Sequence, residues 1–246
     1  MRKIQDAKLE ELDLGVTKST SNQAGEEVDL DKIELITKFC DVNLGKEVVL
    51  CNDTPGFIGN RIGTYWTLVG MIEAIKLGLT VEEADAMMGR PIGAPKTGVF
   101  GLADVVGLDL IPHVTESMAS ILRKNDMYNI EVKEQEKLGI DKILSKMIDD
   151  GYTGRKGKGG FYRLNEDSGK RIKESRNLKT GEYSKATKRV GLESVKAGKK
   201  GLRNVVTHKD KGGMYAWKVL SKTLVYAASL VPEITDNIVN LSLIHI

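Results

Sequence analysis

The stretch NDTPGFIGNRIGTYWTLVGMIEAIKLG, residues 52–78, decides the fold class of the chain. Thr54 is a residue type that commonly caps a helix, and Pro55 suits the first helical position because its missing N–H is not needed there. Apolar residues then recur at helical spacing for about six turns, and Gly78 marks the end of the pattern. We therefore predict one long helix over residues 55–77, with Thr54 as its cap.

Shorter helical patterns follow the long helix. Thr80 and Glu83 form a capping box that opens a second helix, which runs through Met88. The part of the chain after Cys51 is therefore expected to be essentially all-α. Further helices are predicted at residues 101–106, 110–124 and 141–150.

Before the long helix, the pattern changes from helix to strand. Residues 31–45 suit a helix that Gly45 would end, and residues 47–51 form a short apolar run of buried-strand length. One helix and one strand cannot cover both faces of a sheet, so we interpret them as the last edge of an α/β layer. Residues 1–30 show no sustained period and are interpreted as a poorly ordered arm.

A faint internal repeat appears at an offset of 151 residues. Both copies have the pattern of one long helix followed by a short capped one, and the second copy would occupy residues 212–246 without being complete. We therefore expect the chain to be truncated at both ends. The identical pairs are Trp66 with Trp217, Leu79 with Leu230, Glu82 with Glu233 and Asp85 with Asp236.

The composition is that of a chain with its own hydrophobic core. With 246 residues, of which 41% are hydrophobic and 29% charged, pervasive disorder and collagen-like classes are excluded. No run reaches the ~18 apolar residues of a membrane span, and the charged N-terminus does not fit a secretory signal. Cys40 and Cys51 match no disulfide framework and no zinc or redox spacing. We therefore expect a cytoplasmic protein with reduced thiols.

A basic segment separates the two helical copies. Residues 168–213 hold 14 Lys and Arg against 4 Asp and Glu, which could follow a phosphate backbone. Tyr183 is the single aromatic residue of this segment, however, and nucleic-acid binding usually needs more aromatic stacking. A solvated connector is the better interpretation. Part of the excess charge could serve a ligand with several phosphates, such as a coenzyme.

The glycine-rich stretch GYTGRKGKGGFY, residues 151–162, is the first candidate for binding chemistry. A phosphate-cradling loop lies between a strand and a helix, but this stretch follows a helix and precedes an aromatic pair, so it is not a P-loop. Either it is a flexible exit from the helix, or Lys156 or Lys158 reaches an anionic ligand. No metal site is expected, because His113, His208 and His245 have no partners at ligand or triad spacing.

The second candidate is the pair Asn60 and Arg61, on the second turn of the predicted long helix. Inward-facing polar groups at this place are costly unless they are paired. A ligand contact would pair them, and so would a hydrogen-bond network that fixes the strand-to-helix joint. The residues themselves leave both alternatives open.

Three motifs together carry a family resemblance, over residues 31–240. NDTPGFIGNRIG (52–63) resembles the domain-junction signature of L-3-hydroxyacyl-CoA dehydrogenases, and PIGAPKTGVFGLADVVGLDLIPHV (91–114) resembles the segment that follows it. GRKGKGGFY (154–162) resembles the motif that closes the first helical domain of that family. The basic connector into a second helical copy is most similar to the multifunctional branch of fatty-acid β-oxidation, in which the dehydrogenase is fused to an enoyl-CoA hydratase-like domain.

The resemblance implies oxidation of (3S)-hydroxyacyl-CoA to 3-oxoacyl-CoA with NAD. In the family, a Rossmann domain binds NAD on a GxGxxG loop, and a His–Glu pair removes the hydroxyl proton. Asn60 matches the active-site asparagine, whose amide would orient the histidine and the substrate carbonyl oxygen, and is the predicted catalytic residue. Lys156 aligns with a cofactor-proximal lysine and is the predicted cofactor-binding residue. The GxGxxG loop, the active-site serine and the His–Glu pair have no match in this chain.

We therefore predict a mainly α chain: the helical C-terminal domain of a 3-hydroxyacyl-CoA dehydrogenase with a residual Rossmann edge. It would contribute the substrate and dimerisation region, bind fatty acyl-CoA, and form a homo-oligomer or join an enoyl-CoA hydratase-like domain, with NAD bound mainly by a domain absent from this chain. The alternative is a non-catalytic helical module that binds acyl-CoA or a partner. The predicted parts are an arm (1–30), the Rossmann remnant (31–53), the first helical domain (54–163), the basic connector (164–211) and the incomplete second copy (212–246).

Overall fold

The computed structural model describes two compact units of the chain. The junction unit combines the described residues up to Arg61 with those from Ala227 onward, and the main unit comprises the described residues of Ile62–Tyr226. The arm predicted at residues 1–30 lies outside the described residues, apart from Leu30. The described residues are 30–46, 48–165, 171–187 and 189–243.

Helices dominate the described residues, so the mainly α prediction is confirmed. Helix α1 continues as a π-helical turn over Phe39–Asn43, and Gly45 follows it with a φ of 59°. The predicted end of this helix at Gly45 is therefore correct. The α-helices are α1 (Leu30–Lys38), α2 (Gly59–Lys76), α3 (Val81–Met87), α4 (Gly98–Val106), α5 (Leu110–Ile121), α6 (Met127–Lys137), α7 (Ile140–Asp149), α8 (Glu193–Ala197), α9 (Leu202–Val206), α10 (Lys211–Ser229) and α11 (Ile238–Leu243).

The long helix α2 begins four residues later than its sequence pattern predicts. Gly56 and Phe57 have φ angles of 77° and 48°, which lie in the left-handed region and cannot continue into a right-handed helix. The Thr54 hydroxyl is buried and has no hydrogen-bond partner among the described residues, so Thr54 does not cap the helix. The prediction of Thr54 as cap and Pro55 as first helical residue is therefore wrong.

The capping box at the start of α3 is confirmed. The Thr80 hydroxyl accepts a hydrogen bond from the Glu83 N–H at 3.2 Å, and the Glu83 carboxylate accepts one from the Thr80 N–H at 3.0 Å. Helix α6 was not predicted, because its sequence MYNIEVKEQEK lacks a clear apolar stripe. Its local start signal is nevertheless present, since Asp126 caps it by accepting from the Tyr128 N–H at 2.8 Å.

The strand predicted at residues 47–51 is not formed over the described residues 48–51. The backbone N–H and C=O groups of a strand need hydrogen-bond partners on neighbouring strands. Here the backbone at residues 50 and 52 hydrogen-bonds to residues 234 and 240 instead. The Asn52 N–H donates to the Ile234 carbonyl at 2.7 Å, and the Asn240 amide donates to the Leu50 carbonyl at 3.1 Å. The predicted Rossmann edge is therefore not confirmed.

A small antiparallel sheet lies where the sequence indicated a basic connector. Its order is β1-β2-β3, with Tyr162 opposite Ser175 and Arg176 opposite Tyr183. Arg163 pairs with Glu174 across two strands at 2.7 Å. The strands are short and mostly polar, which explains why apolar alternation did not reveal them. The strands are β1 (Tyr162–Asn165), β2 (Ile172–Arg176) and β3 (Tyr183–Lys185).

The long helix of the predicted second copy is present as α10, and its main-unit part packs against α2. Glu73 is 2% exposed and accepts a hydrogen bond from Lys222 at 2.9 Å, while Lys222 also pairs with Glu131 of α6 at 2.8 Å. The rings of Tyr65 and Tyr226 stack with centroids 4.0 Å apart. These contacts join α2, α6 and α10 within the main unit.

The short capped helix expected after α10 is not found at the offset that the repeat predicts. Residues 231–234 form turns, and the next helix is α11. No single helix in the described part of the chain has the length and apolarity to cross a membrane; α4 and α5 together pass that test, but they are bent by 96°.

Candidate functional site

The residues around Asn60 form a strained turn at the start of α2, within the junction unit. The Gly56 carbonyl accepts hydrogen bonds from both the Asn60 and the Arg61 N–H groups, each at 3.1 Å. Phe57 adopts its positive φ of 48° as a bulky residue, which is an uncommon and costly conformation. Asn60 is exposed at this turn. Residues 55–61 are called the Asn60 turn below.

Arg61 differs from its neighbour in being completely buried, at 0% exposure. Its guanidinium donates to the Pro55 carbonyl at 3.4 Å and to the Glu233 carboxylate at 3.4 Å. The sequence left open whether Asn60 and Arg61 contact a ligand or fix the joint. In the structure the two residues differ: Arg61 is buried and bonds to the Pro55 carbonyl and the Glu233 carboxylate, whereas Asn60 is exposed.

In the main unit, two buried carboxylates organise the segments that resemble the family. Asp85 of α3 accepts hydrogen bonds from the backbone N–H groups of Phe100 at 2.7 Å and Gly101 at 2.9 Å, which are in the first turn of α4. The Tyr162 hydroxyl also donates to this carboxylate. Gly98 has a φ of 70°, and a Cβ there would collide with Asp85, so only glycine permits this approach.

Asp104 of α4 holds the end of the glycine loop, residues 151–162. Its carboxylate accepts hydrogen bonds from the backbone N–H groups of Phe161 at 2.7 Å and Tyr162 at 2.8 Å. A Cβ on Gly160 would overlap the Asp104 carboxylate, which explains the glycine at this position. Neither Asp85 nor Asp104 was predicted as a site residue, although Asp104 lies in the segment 91–114.

The glycine loop is a fixed structure whose backbone donors are largely used within the main unit. The Gly154 N–H donates to the Gly159 carbonyl at 2.8 Å, and the Arg155 N–H donates to the Asp104 carbonyl at 2.8 Å. The Gly157 and Lys158 N–H groups also donate to carbonyls of the loop. These amides are therefore not available to cradle a phosphate.

The two lysines of the glycine loop have different surroundings. The Lys158 ammonium donates to the Asp150 carbonyl at 3.2 Å. Lys156 lies exposed at the tip of the loop. A cation in this position can meet an anionic ligand, but any such contact comes from the side chain and not from a backbone cradle.

Burial changes the titration of both carboxylates. Loss of solvent raises the pKa of Asp85 from 3.8 to about 7, and this effect exceeds the opposing effect of its N–H donors. The same cause raises the pKa of Asp104 from 3.8 to about 6. Among the residues that the structure describes, no group of three or more His, Cys, Asp or Glu could hold a metal ion.

The raised pKa predicts how Asp85 contributes to stability. Because the pKa in the folded chain, about 7, lies above the ordinary 3.8, the folded chain binds this proton more tightly than the unfolded chain. The contribution of Asp85 therefore grows as the pH falls from about 7 towards 4 and is lost as the pH rises through 7. Between pH 5 and pH 8, the free energy of unfolding measured in urea should fall by about 2 kcal/mol more for wild type than for Asp85→Asn.

The matched control for this experiment is Asp236→Asn, which changes an exposed aspartate. This variant should follow the pH dependence of wild type. If Asp85→Asn also followed it, the assignment of the titration to Asp85 would be wrong.

Comparison with known proteins places these motifs in one family. Residues 56–164 match the family described as 3-hydroxyacyl-CoA dehydrogenase, C-terminal domain. This range contains the Asn60 turn except for Pro55, both buried carboxylates and the complete glycine loop.

Relatives match over a longer part of the chain. The "Putative fatty acid oxidation complex trifunctional enzyme" of Rickettsia felis is 35% identical over 212 residues, which are 86% of this chain and 28% of that protein. The "Probable 3-hydroxyacyl-CoA dehydrogenase" of Bacillus subtilis is 37% identical over 217 residues, 86% of this chain and 26% of that protein. A 3-hydroxybutyryl-CoA dehydrogenase of Mycobacterium tuberculosis is 31% identical over 126 residues, 51% of this chain and 40% of that protein.

The chain spans less than a third of the length of the first two relatives. The family resemblance inferred from the three motifs is confirmed by these matches. The chain belongs to the 3-hydroxyacyl-CoA dehydrogenase family, and residues 56–164 are its C-terminal domain.

Proposed function

We propose that this chain provides the acyl-CoA-binding and pairing region of an NAD-dependent 3-hydroxyacyl-CoA dehydrogenase that acts in fatty-acid β-oxidation. The observation that carries the proposal is the Asn60 turn, in which a strained backbone presents an exposed asparagine beside a buried arginine. Bulky residues at positive φ are often found at functional sites, where the surrounding structure maintains the strain. Because residues 56–164 match the dehydrogenase family, we take this turn as the best candidate for contact with the substrate.

Asn60 is the proposed catalytic residue of this chain. A side-chain amide has one oxygen acceptor and two N–H donors, so it can bond to a histidine and to the carbonyl oxygen of an acyl-CoA at the same time. Its role is to orient both groups, because the reaction needs the hydroxyl proton and the C3 hydride to leave in defined directions. Asn60 itself carries no charge and does not accept the proton.

NAD, when bound, accepts the hydride from C3 of the substrate. The residues of this chain can contact NAD but do not form a dinucleotide-binding loop. The backbone amides of the glycine loop already donate to carbonyls within the main unit, and the sequence contains no GxGxxG. We therefore propose that a dinucleotide-binding domain outside this chain holds NAD. Lys156, exposed at the tip of the loop, would contribute a cation near the cofactor.

The partners proposed for this chain follow from its relatives. The Rickettsia felis relative carries the name "Putative fatty acid oxidation complex trifunctional enzyme". We propose that the present chain binds fatty acyl-CoA and either forms a homo-oligomer or works with an enoyl-CoA hydratase-like domain. A cytoplasmic location fits this role.

The direct test joins this chain to a family NAD-binding domain and measures NADH formation from a (3S)-hydroxyacyl-CoA. We expect turnover in the joined enzyme and none with the chain alone, because the general base and the dinucleotide loop are not in its sequence. In the joined enzyme, Asn60→Ala should lower kcat by about 10²–10³ and change KM little, since it removes one preorganised group. Asn204→Ala, which changes another exposed asparagine, is the control and should behave as wild type.

Two results would contradict the proposal. Unchanged kcat in a folded Asn60→Ala enzyme would show that this amide does not act on the substrate. A folded but inactive joined enzyme that still binds acyl-CoA would favour the alternative, a non-catalytic binding module.

The proposed role of Lys156 gives a separate prediction. Lys156→Ala in the joined enzyme should raise KM for NAD about three- to tenfold without changing KM for acyl-CoA, because one exposed cation near a phosphate contributes on the order of 1 kcal/mol. Lys158→Ala is the control from the same loop, because its ammonium bonds to the Asp150 carbonyl. Equal effects of the two variants on KM for NAD would overturn the assignment.

A further inference from the structure

The segment that follows α10 touches the residues that lead into the Asn60 turn. The Asn52 side chain donates to the carbonyls of Pro232 at 3.2 Å and Glu233 at 3.0 Å. The Asn52 N–H donates to the Ile234 carbonyl at 2.7 Å. These partners are about 180 residues apart in the sequence, yet both belong to the junction unit. Residues 231–235 are called the bracing loop below.

The bracing loop also supplies an anion for the buried arginine. The Arg61 side chain is 0% exposed, whereas the Glu233 side chain is 38% exposed. A guanidinium stays charged at all relevant pH values, so a buried one needs acceptors. Glu233 provides a carboxylate that reaches inward from the surface, and its oxygen lies 3.4 Å from the guanidinium.

Arg61 is placed so that this contact acts on the Asn60 turn. Its guanidinium also donates to the Pro55 carbonyl at 3.4 Å, at the other end of the turn. Its own N–H and that of Asn60 share the Gly56 carbonyl. The side chain of Arg61 therefore connects the first and last residues of the turn, and the Glu233 carboxylate holds that side chain from outside.

We propose that Glu233 is a positioning residue for Asn60. Through Arg61, its carboxylate keeps residues 55–61 in the strained conformation that presents the Asn60 amide to the substrate. This inference rests on the proposed function of Asn60. The bracing loop belongs to the predicted second copy, and Asn60 belongs to the first. The second copy would therefore contribute to the site by holding the catalytic residue of the first copy in place.

The internal repeat did not reveal this role. It pairs Glu233 with Glu82, which lies in α3 and accepts a hydrogen bond from the Ser175 hydroxyl at 2.7 Å. Glu233 lies in turns, where the second copy has no helix. The two glutamates thus occupy equivalent sequence positions and have different partners.

The first test needs no activity and uses the 246-residue chain. Hydrogen exchange at the backbone amides of Phe57, Asn60 and Arg61 reports how well the turn is held. Glu233→Ala should speed this exchange about tenfold, because Arg61 loses the charge-assisted hydrogen bond to Glu233. Glu233→Gln keeps an acceptor oxygen and should stay within about threefold of wild type, since only the charge-assisted part of the bond is lost. Asp236→Ala, three residues further on and exposed, is the control and should leave exchange unchanged.

The second test measures turnover in the enzyme joined to the NAD-binding domain. Glu233→Ala should lower kcat about tenfold with little change in KM, since it misplaces a group that orients the reacting atoms. Glu233→Gln should restore most of the loss. A purely structural role would lower the melting temperature and leave the kcat of the folded enzyme unchanged.

The outcomes separate the inference from the proposed function. Exchange at wild-type rates in Glu233→Ala, or wild-type kcat in that variant, would overturn the positioning role of Glu233. An inactive wild-type joined enzyme would overturn the proposed function, and with it the role of Glu233 in catalysis, whereas exchange would still show whether Glu233 braces the turn.

Discussion

A carboxylate buried among apolar side chains needs hydrogen-bond donors, and Asp104 and Asp85 find theirs in the backbone of distant segments. Asp85 fixes the first turn of α4, and Asp104 fixes the end of the glycine loop where the sheet begins. Tyr162 bonds to both carboxylates, through its N–H to Asp104 and through its hydroxyl to Asp85. The positions of α3, α4, the glycine loop and β1 in the main unit depend on this cluster. The glycines that surround it are explained by the space that the carboxylates occupy.

This cluster explains why the loop is rich in glycine: the glycines allow close packing against the carboxylate, and phosphate binding is not needed to explain them. The repeated glycines let the backbone turn back on itself and approach Asp104 closely. The resulting loop presents two exposed lysines, Lys156 and Lys158, and the Lys158 ammonium bonds to the Asp150 carbonyl. A rigid support lowers the entropy lost when a side chain binds a ligand, so a structural motif and a binding role are compatible here.

The sequence predicted those features that depend on near neighbours. Capping between Thr80 and Glu83 acts over three residues, and Gly45 follows the π-helical turn that continues α1, where the helical pattern was expected to end. The start of α2 was wrong because Gly56 and Phe57 adopt left-handed conformations that neither propensity nor periodicity reveals. Asn60 was a candidate because of its place on the predicted helix, and its catalytic role was inferred from the resemblance of its motif to a family. The carboxylate cluster and the Arg61–Glu233 contact were missed because their partners lie 15 to 172 residues apart.

The central claim is that Asp85 and Asp104 hold the framework of the helical domain through four backbone amides. Native-state hydrogen exchange at the amides of Phe100, Gly101, Phe161 and Tyr162 tests it most directly. These four amides should exchange only through global unfolding, with the same free energy as the best-protected amides of α2 and a parallel dependence on denaturant. Faster exchange at Phe161 and Tyr162, through local opening of the glycine loop while α2 stays protected, would contradict it.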